Sequence, residues 1–413
     1  MTTASRAAGL AALALLLVAG CATDGRPRPH YPDPHSLDAG AYGVEPLDVP
    51  ENGNERYGRV LESVRMMEAL ADPVEIDPAL THGASATQAT PLPTPATASV
   101  LLASPVRAVL EREKMLAGAE VDGTDVAPTG HGPVIGSARI LTTMVLRFPD
   151  DDAARRAAKD IDAVDAAVSP DNVGVPVPGH LAAHAHWRPA VPTLAATLAE
   201  GPYVISLLVG HTTTDLNALN TLAAKAFAAQ VPRLREFAAT PADRLATLPL
   251  DPDGMVRRMV PDAPRRWSYP AVTVLSQDVN AGWNASVLGH GVVYGPRAAW
   301  LAGSRKKHDH PIELRASNGF NVVDRFADAA AARRAFEAAT RKDRESGDMV
   351  PVPPSAGAVD TACWESLQPD ELRQARFLCR VVYGRYTAAL VARELTTAQQ
   401  KIAAQYGLLV NGG

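Results

Sequence analysis

Two stretches set the reading of the chain. Residues 140–148 and 320–326 are apolar-rich runs of strand length. Each ends in an Arg-Phe dipeptide with an Asp two residues beyond, as Arg147-Phe148-Pro149-Asp150 and Arg325-Phe326-Ala327-Asp328. An Ala- and Arg-rich segment of helical character follows in both places. The Asp is therefore placed as an N-cap, its carboxylate accepting free backbone N–H groups of the first turn, with Asp151 and Asp152 adding favourable charge there. Capping, not catalysis, is the expected role of Asp150 and Asp328. A Pro-containing loop then leads to a Trp-bearing run and a further apolar run. Amphipathic helices near residues 216–227 and 397–406 close the two blocks. The pattern predicts an α+β fold of two duplicated β-α-β-β-α units, with antiparallel sheets and helices on one face.

The duplication rests on identity as well as order. Over the eleven residues starting at Arg147 and Arg325, eight positions agree at one offset of 178. In step with them, Val175-Pro176-Val177-Pro178 is answered by Val350-Pro351-Val352-Pro353, and Trp187 by Trp364. Run 203–210 answers to 377–384, and Leu222-Ala223-Ala224 to Ile402-Ala403-Ala404. Upstream, Ser99-Val100-Leu101 and Leu116-Ala117-Gly118 match Ser286-Val287-Leu288 and Leu301-Ala302-Gly303. This alignment sets His186 against Cys363, Ile205 against Cys379, and the two tryptophans in equivalent core positions. The expected domains are a signal peptide (1–20), a lipidated Cys with a Pro-rich tether (21–54), a first unit with an N-terminal extension (55–237), a linker (238–270) and a second unit (271–413).

The N-terminus changes the picture. Arg6 precedes an unbroken apolar run over residues 7–18. As a helix it would rise about 18 Å, short of the roughly 30 Å of a hydrocarbon core. That is the build of a secretory signal. Val18-Ala19-Gly20-Cys21 follows and is similar to a bacterial lipobox, in which the Cys21 thiol is acylated and becomes the new N-terminus; an ordinary signal peptide with a chance Cys is the bland alternative. Six prolines between Ala22 and Asn54 suit a semi-extended tether. With 46% apolar residues and a net charge of −5, the rest is an ordinary globular composition with no nucleic-acid footprint. Besides Cys21 only Cys363 and Cys379 remain. In an exported chain an even pair points to a disulfide, with a metal site or redox pair as the competing view.

Candidate chemistry is thin. His180, His184 and His186 are the nearest thing to a ligand set: in an extended segment the last two share a face, and Asp150 to Asp152 would be near only if the fold brought them there. Their bland meaning is a polar, Pro-rich connection. His308 and His310, after Arg305-Lys306-Lys307, form a basic cluster that reads as a solvated loop or as a contact for an anionic polymer or head group. No G-x-S-x-G elbow, P-loop or dinucleotide fingerprint stands in the sequence, and no cofactor is expected.

Several pieces together resemble one family. They are the lipobox, Leu37-Asp38-Ala39-Gly40-Ala41-Tyr42, Gly58-Arg59-Val60-Leu61-Glu62 with Arg65-Met66-Met67, Glu75-Ile76-Asp77-Pro78-Ala79-Leu80, the Leu146-to-Asp150 junction, and Leu250-Asp251-Pro252-Asp253-Gly254-Met255. The family is that of uncharacterised cell-envelope lipoproteins of mycobacteria, nocardiae and related actinobacteria. The resemblance implies an envelope lipoprotein and carries no catalytic residues. The expected function is therefore a membrane-anchored, extracytoplasmic binding or structural module. Its partners would be the membrane, through lipid on Cys21, and an envelope lipid, glycan or protein. The alternative is an envelope hydrolase or transferase, metal-dependent through His180, His184 and His186.

Overall fold

The computed structural model describes residues 31–85, 87–127, 132–275, 286–303, 311–368 and 375–412. Seven strands build the first sheet: β1 (Ala89–Pro91), β2 (Ala117–Thr124), β3 (Ile140–Arg147), β4 (Val173–Gly174), β5 (His184–Trp187), β6 (Thr193–Glu200) and β7 (Tyr203–Gly210). They lie in the order β1-β2-β3-β7-β6-β5-β4, antiparallel throughout. The second sheet holds β8 (Ala271–Leu275), β9 (Ser286–Tyr294), β10 (Leu314–Asn318), β11 (Asn321–Arg325), β12 (Met349–Val352), β13 (Thr361–Ser366), β14 (Phe377–Tyr383) and β15 (Tyr386–Ala392). Its order, β12-β13-β14-β15-β11-β10-β9-β8, repeats the first from β9 to β15 and adds β8 at the edge. The fold is α+β with two similar domains.

Each unit holds more strands than β-α-β-β-α allows. The run after Arg376 is a hairpin, because Gly384 adopts φ +52° and lets β14 turn into β15 within two residues; Gly201, at φ +55°, does the same between β6 and β7. Nor do helices keep to one face. The principal helices are α1 (Glu55–Met66), α2 (Val106–Arg112), α3 (Asp151–Ala166), α4 (Leu216–Glu236), α5 (Pro296–Leu301), α6 (Ala329–Glu345) and α7 (Leu395–Asn411). Helix α3 packs with Met144, Leu146 and Phe148 on one side of the first sheet, while α4 packs with Leu141, Val145 and Ile205 on the other. Neighbouring residues of β3 point to opposite sides and all are buried, so an apolar run without alternation needs cover on both faces. The capping assignment holds: Asp150 accepts from the Ala153 N–H at 2.8 Å and Asp328 from that of Ala331 at 2.7 Å.

Strand pairing corrects the alignment of the repeats. Tyr203 pairs with Arg147, and Tyr386 with Arg325, so β7 answers to β15 and not to β14. Counting across the ladders, Ala196 and Ala185 occupy the places of Cys379 and Cys363, whereas His186 stands where Trp364 does. A one-residue slip reverses the face: Trp187 leans on the core beneath α4, and Trp364 lies on the opposite side of its own sheet from Cys363. The Ser99 match also falls, since Ser99–Leu101 is a 3₁₀ turn and Ser286 opens a strand.

Cys363 and Cys379 are cross-strand partners and form a disulfide buried against α7.

The segments flanking the sheets are tightly held. Gln230 of α4 is fully buried, accepts from the Ala71 N–H at 2.9 Å and donates to the Ala69 carbonyl at 2.8 Å. Gln405 of α7, equally buried, does the same to Val260 N–H at 3.0 Å and Arg258 carbonyl at 2.6 Å. Both clasped segments follow a 3₁₀ turn, Met67–Ala69 and Val256–Arg258. The stretch expected to be a linker thus contains the entry to the second unit. Its first part is fastened too: buried Glu62 accepts from Thr240 N–H at 3.0 Å, and Arg147 bridges Glu62 at 2.7 Å to the Thr240 carbonyl at 2.6 Å.

The Pro-rich tether is likewise docked wherever it is described. Tyr31 packs edge-on to Tyr383 at 5.0 Å, Tyr406 donates to the Pro32 carbonyl at 3.1 Å, and Asn411 donates to that of Val44 at 3.1 Å. Its tyrosines, Leu37 and Val44 supply the apolar surface that proline content alone concealed. The strap precedes the first unit in sequence yet lies on α7 of the second. Residues 21–30 of the expected tether lie outside the described residues.

The disulfide closes a loop of sequence separation 16, worth roughly 3 kcal/mol in the chain-entropy account. The double variant Cys363→Ala/Cys379→Ala reproduces the alanines of the first unit and should therefore still fold. Its urea midpoint should fall by an amount matching that loss, and an unchanged midpoint would refute the bridge.

Candidate functional site

The end of helix α3 creates the site. The helix stops at Ala166 while the sheet beneath it continues, leaving a cleft of about 250 Å³. Asp165, Val168 and Asn172 line one side; His186, Trp187 and Arg188 come from β5 and the residue after it. Ile135, Val191 and Leu208 supply apolar wall, and the small Ala195 of β6 leaves the space open.

His186 is buried and paired twice. Its Nδ1 lies 2.8 Å from Asp162 Oδ1, and its Nε2 lies 3.7 Å from Asp165 Oδ2. Asp162 and Asp165 are three residues apart on α3 and so share one face. Burial pushes the Asp165 carboxyl above the usual aspartate range; the His186 ring opposes that rise and the Asp162 charge adds to it. Asn172 donates to the Ala166 carbonyl at 2.9 Å, fastening the loop that follows the helix. Arg188 differs from the rest: its Nε is buried, and among the described residues it has no hydrogen-bond or ion-pair partner.

The expected ligand triad is not assembled. His180 stacks near the Phe227 ring of α4, at 5.3 Å, whereas His186 faces α3 across the sheet. His184 shares the face of His186, as the extended spacing requires. Asp150 to Asp152 sit at the opposite end of α3 from Asp162, about 15–18 Å away at 1.5 Å per residue. Among the described residues, no three His, Cys, Asp or Glu side chains come together as a metal site. Cys21, His308 and His310 lie outside the described residues.

Sequence reasoning passed over Asp162, Asp165 and Arg188. A signal was present in the first two. Acidic side chains near a helix C-terminus oppose the helix dipole, and Asp160, Asp162 and Asp165 all stand near that end of α3. For Arg188 there was none; its isolation is a matter of tertiary placement.

Residues 49–250 match the N-terminal domain of unknown function DUF7373, and residues 255–412 match the corresponding C-terminal domain. The chain belongs to the DUF7373 family. The break between the two family domains falls just ahead of the 3₁₀ turn that Gln405 clasps, so family and fold divide the chain at the same place. No curated protein matches this DUF7373 member. Among solved structures, it is similar to the extracellular domain of PknH from Mycobacterium tuberculosis, at 11% identity and a TM-score of 0.29, covering 47% of this chain and all of that one.

Asp165 offers a direct test of the cleft's electrostatics. Because its folded-state pKa is raised, ionisation is disfavoured in the fold. The resulting loss of stability is absent below the ordinary value of 3.8 and sets in as pH rises past it. Asp165→Asn should therefore melt higher than the parent at neutral pH, with the gap closing below pH 3.8. A melting temperature lowered at neutral pH, or a gap independent of pH, would contradict the assignment.

Proposed function

We propose that this DUF7373 protein is a lipoprotein of an actinobacterial envelope, anchored through Cys21 on the extracytoplasmic face and acting as a binding module through the His186 cleft. The observation that carries this reading is the division of the cysteines. Two are closed as a disulfide in the core of the second unit, a bond that persists in oxidising compartments. The third stands behind a secretory h-region in a lipobox-like sequence.

The docked strap gives the anchor a definite attachment. Tyr31 is ten residue steps from Cys21, and a fully extended chain of that length spans at most about 33–36 Å. The second unit, which carries the strap on α7, would be held within that reach of the bilayer. No helix among the described residues is long and apolar enough to cross a membrane, so retention would depend on the acyl chains, of which two or more hold stably where one does not.

The cleft supports binding more than turnover. Its wall of Ile135, Val168, Val191 and Leu208 around a few convergent polar groups, His186, Asp165 and Arg188, is the make-up of a binding cleft. Its volume suits a small molecule or the terminal group of an envelope lipid or glycan.

Cys21→Ala should move the protein from the membrane pellet to the soluble fraction in cell fractionation. Intact mass of the parent should show loss of residues 1–20 together with diacylglyceryl and acyl additions. Full membrane retention of the variant, or a mass that includes the first twenty residues, would overturn the proposal.

A further inference from the structure

We infer that the His186 cleft recognises an anionic group, a carboxylate or phosphate, carried on a small apolar body, and that Arg188 is the residue that holds it. This rests on reading the cleft as a binding site and names the class of ligand.

The charged groups at the cleft differ in how they are paired. From α3 comes Asp165, with Asp162 behind it on the His186 ring; from β5 and its end come His186 and Arg188; Asn172 and Thr193 contribute only neutral polar groups. His186 lies between the two carboxylates, its Nδ1 within hydrogen-bond distance of Asp162 and its Nε2 3.7 Å from Asp165. That leaves Arg188. Its Nε is buried without a partner among the described residues, and no carboxylate among them pairs with it. A buried guanidinium donor ordinarily finds an acceptor, because leaving it unpaired forfeits the hydration it had in the unfolded chain. Arg188 borders an open cavity, so a bound anion can supply that acceptor.

The rest of the cleft shapes the ligand. A guanidinium presents its N–H groups in a planar fork that suits the two oxygens of a carboxylate or phosphate. Around it, Ile135, Val168, Val191 and Leu208 offer no hydrogen bonds and favour an apolar body over a polyhydroxylated one. The Asp165 carboxylate disfavours a second negative charge at the same end, which restricts recognition to a single anionic group near Arg188.

Benzoate, phenyl phosphate and the neutral isostere benzamide test this by equilibrium dialysis against the full-length protein in detergent, with empty micelles as the blank. Saturable binding of benzoate, phenyl phosphate or both is expected, with the preference between them separating carboxylate from phosphate, and benzamide should not bind. Arg188→Gln should weaken anion binding by at least about tenfold, the worth of one charge-assisted contact, while Arg188→Lys should retain part of it and report that the fold is intact. Absence of saturable binding by both anions overturns the inference together with the reading of the cleft. Equal binding of benzamide and benzoate, unaffected by Arg188→Gln but abolished when Ala195→Phe fills the space, overturns the anion inference alone.

Discussion

A primary amide in a dry interior must satisfy its carbonyl and its NH₂ together, and a three-residue backbone segment offers the C=O of its first residue and the N–H of its third at the right separation. Gln230 and Gln405 use that match in the same way. Each joins the last helix of its unit to the chain that enters the unit, so first and last elements are closed on each other around the sheet. Either glutamine replaced by an apolar residue would strand a buried N–H and a buried C=O at once, a larger loss than the bonds themselves contribute in excess of water. The clasp thus defines where a unit begins, and it begins earlier in sequence than the first strand.

The two closed units are not beads on a string. Glu68, directly beside the first clasped segment, caps α5 of the second half, accepting from the Ala298 N–H at 2.8 Å and the Arg297 N–H at 3.3 Å. The Arg297 guanidinium returns to the Leu70 carbonyl at 2.7 Å and to Glu75 at 2.9 Å, and Trp300 donates to Asp72 at 2.8 Å. Val292, Tyr294 and Leu301 complete the apolar core of the first unit. The strap at the N-terminus lies on α7, so each half of the chain contributes to the other's surface or core. The two units nonetheless differ: the first lacks the disulfide and carries alanines at its positions, and it holds a cleft beside His186, where the second has buried Trp364.

Much of this was legible from the chain. The Arg-Phe-x-Asp junctions identified strand end, cap and helix start in both units because all three depend on local geometry. The disulfide followed from the cysteine count together with the expectation of export. The repeat alignment failed because identity at an offset says nothing about which face a strand residue takes. Matching Trp187 to Trp364 was a single-residue slip, and with a period of two that moved His186 and Cys363 onto one position when they face opposite layers. One strand of each hairpin, β6 before Gly201 and β15 after Gly384, has no place in a β-α-β-β-α unit, because pairing is not visible in an apolar run. Glutamine clasps, a docked proline-rich strap and an isolated Arg188 are all long-range, made by residues whose local sequence is unremarked. The cleft itself is a negative feature, the place where α3 ends before its sheet does.

Amide hydrogen exchange under native conditions tests the clasp most directly. Ala71 and Val260 lie in irregular segments, outside every helix and strand, where amides ordinarily exchange through local opening. Bonded to fully buried glutamines, they should exchange only through global unfolding, as slowly as the amides of β3 and β15. Exchange of either at the rate of the exposed loops would show that the clasps do not close the units.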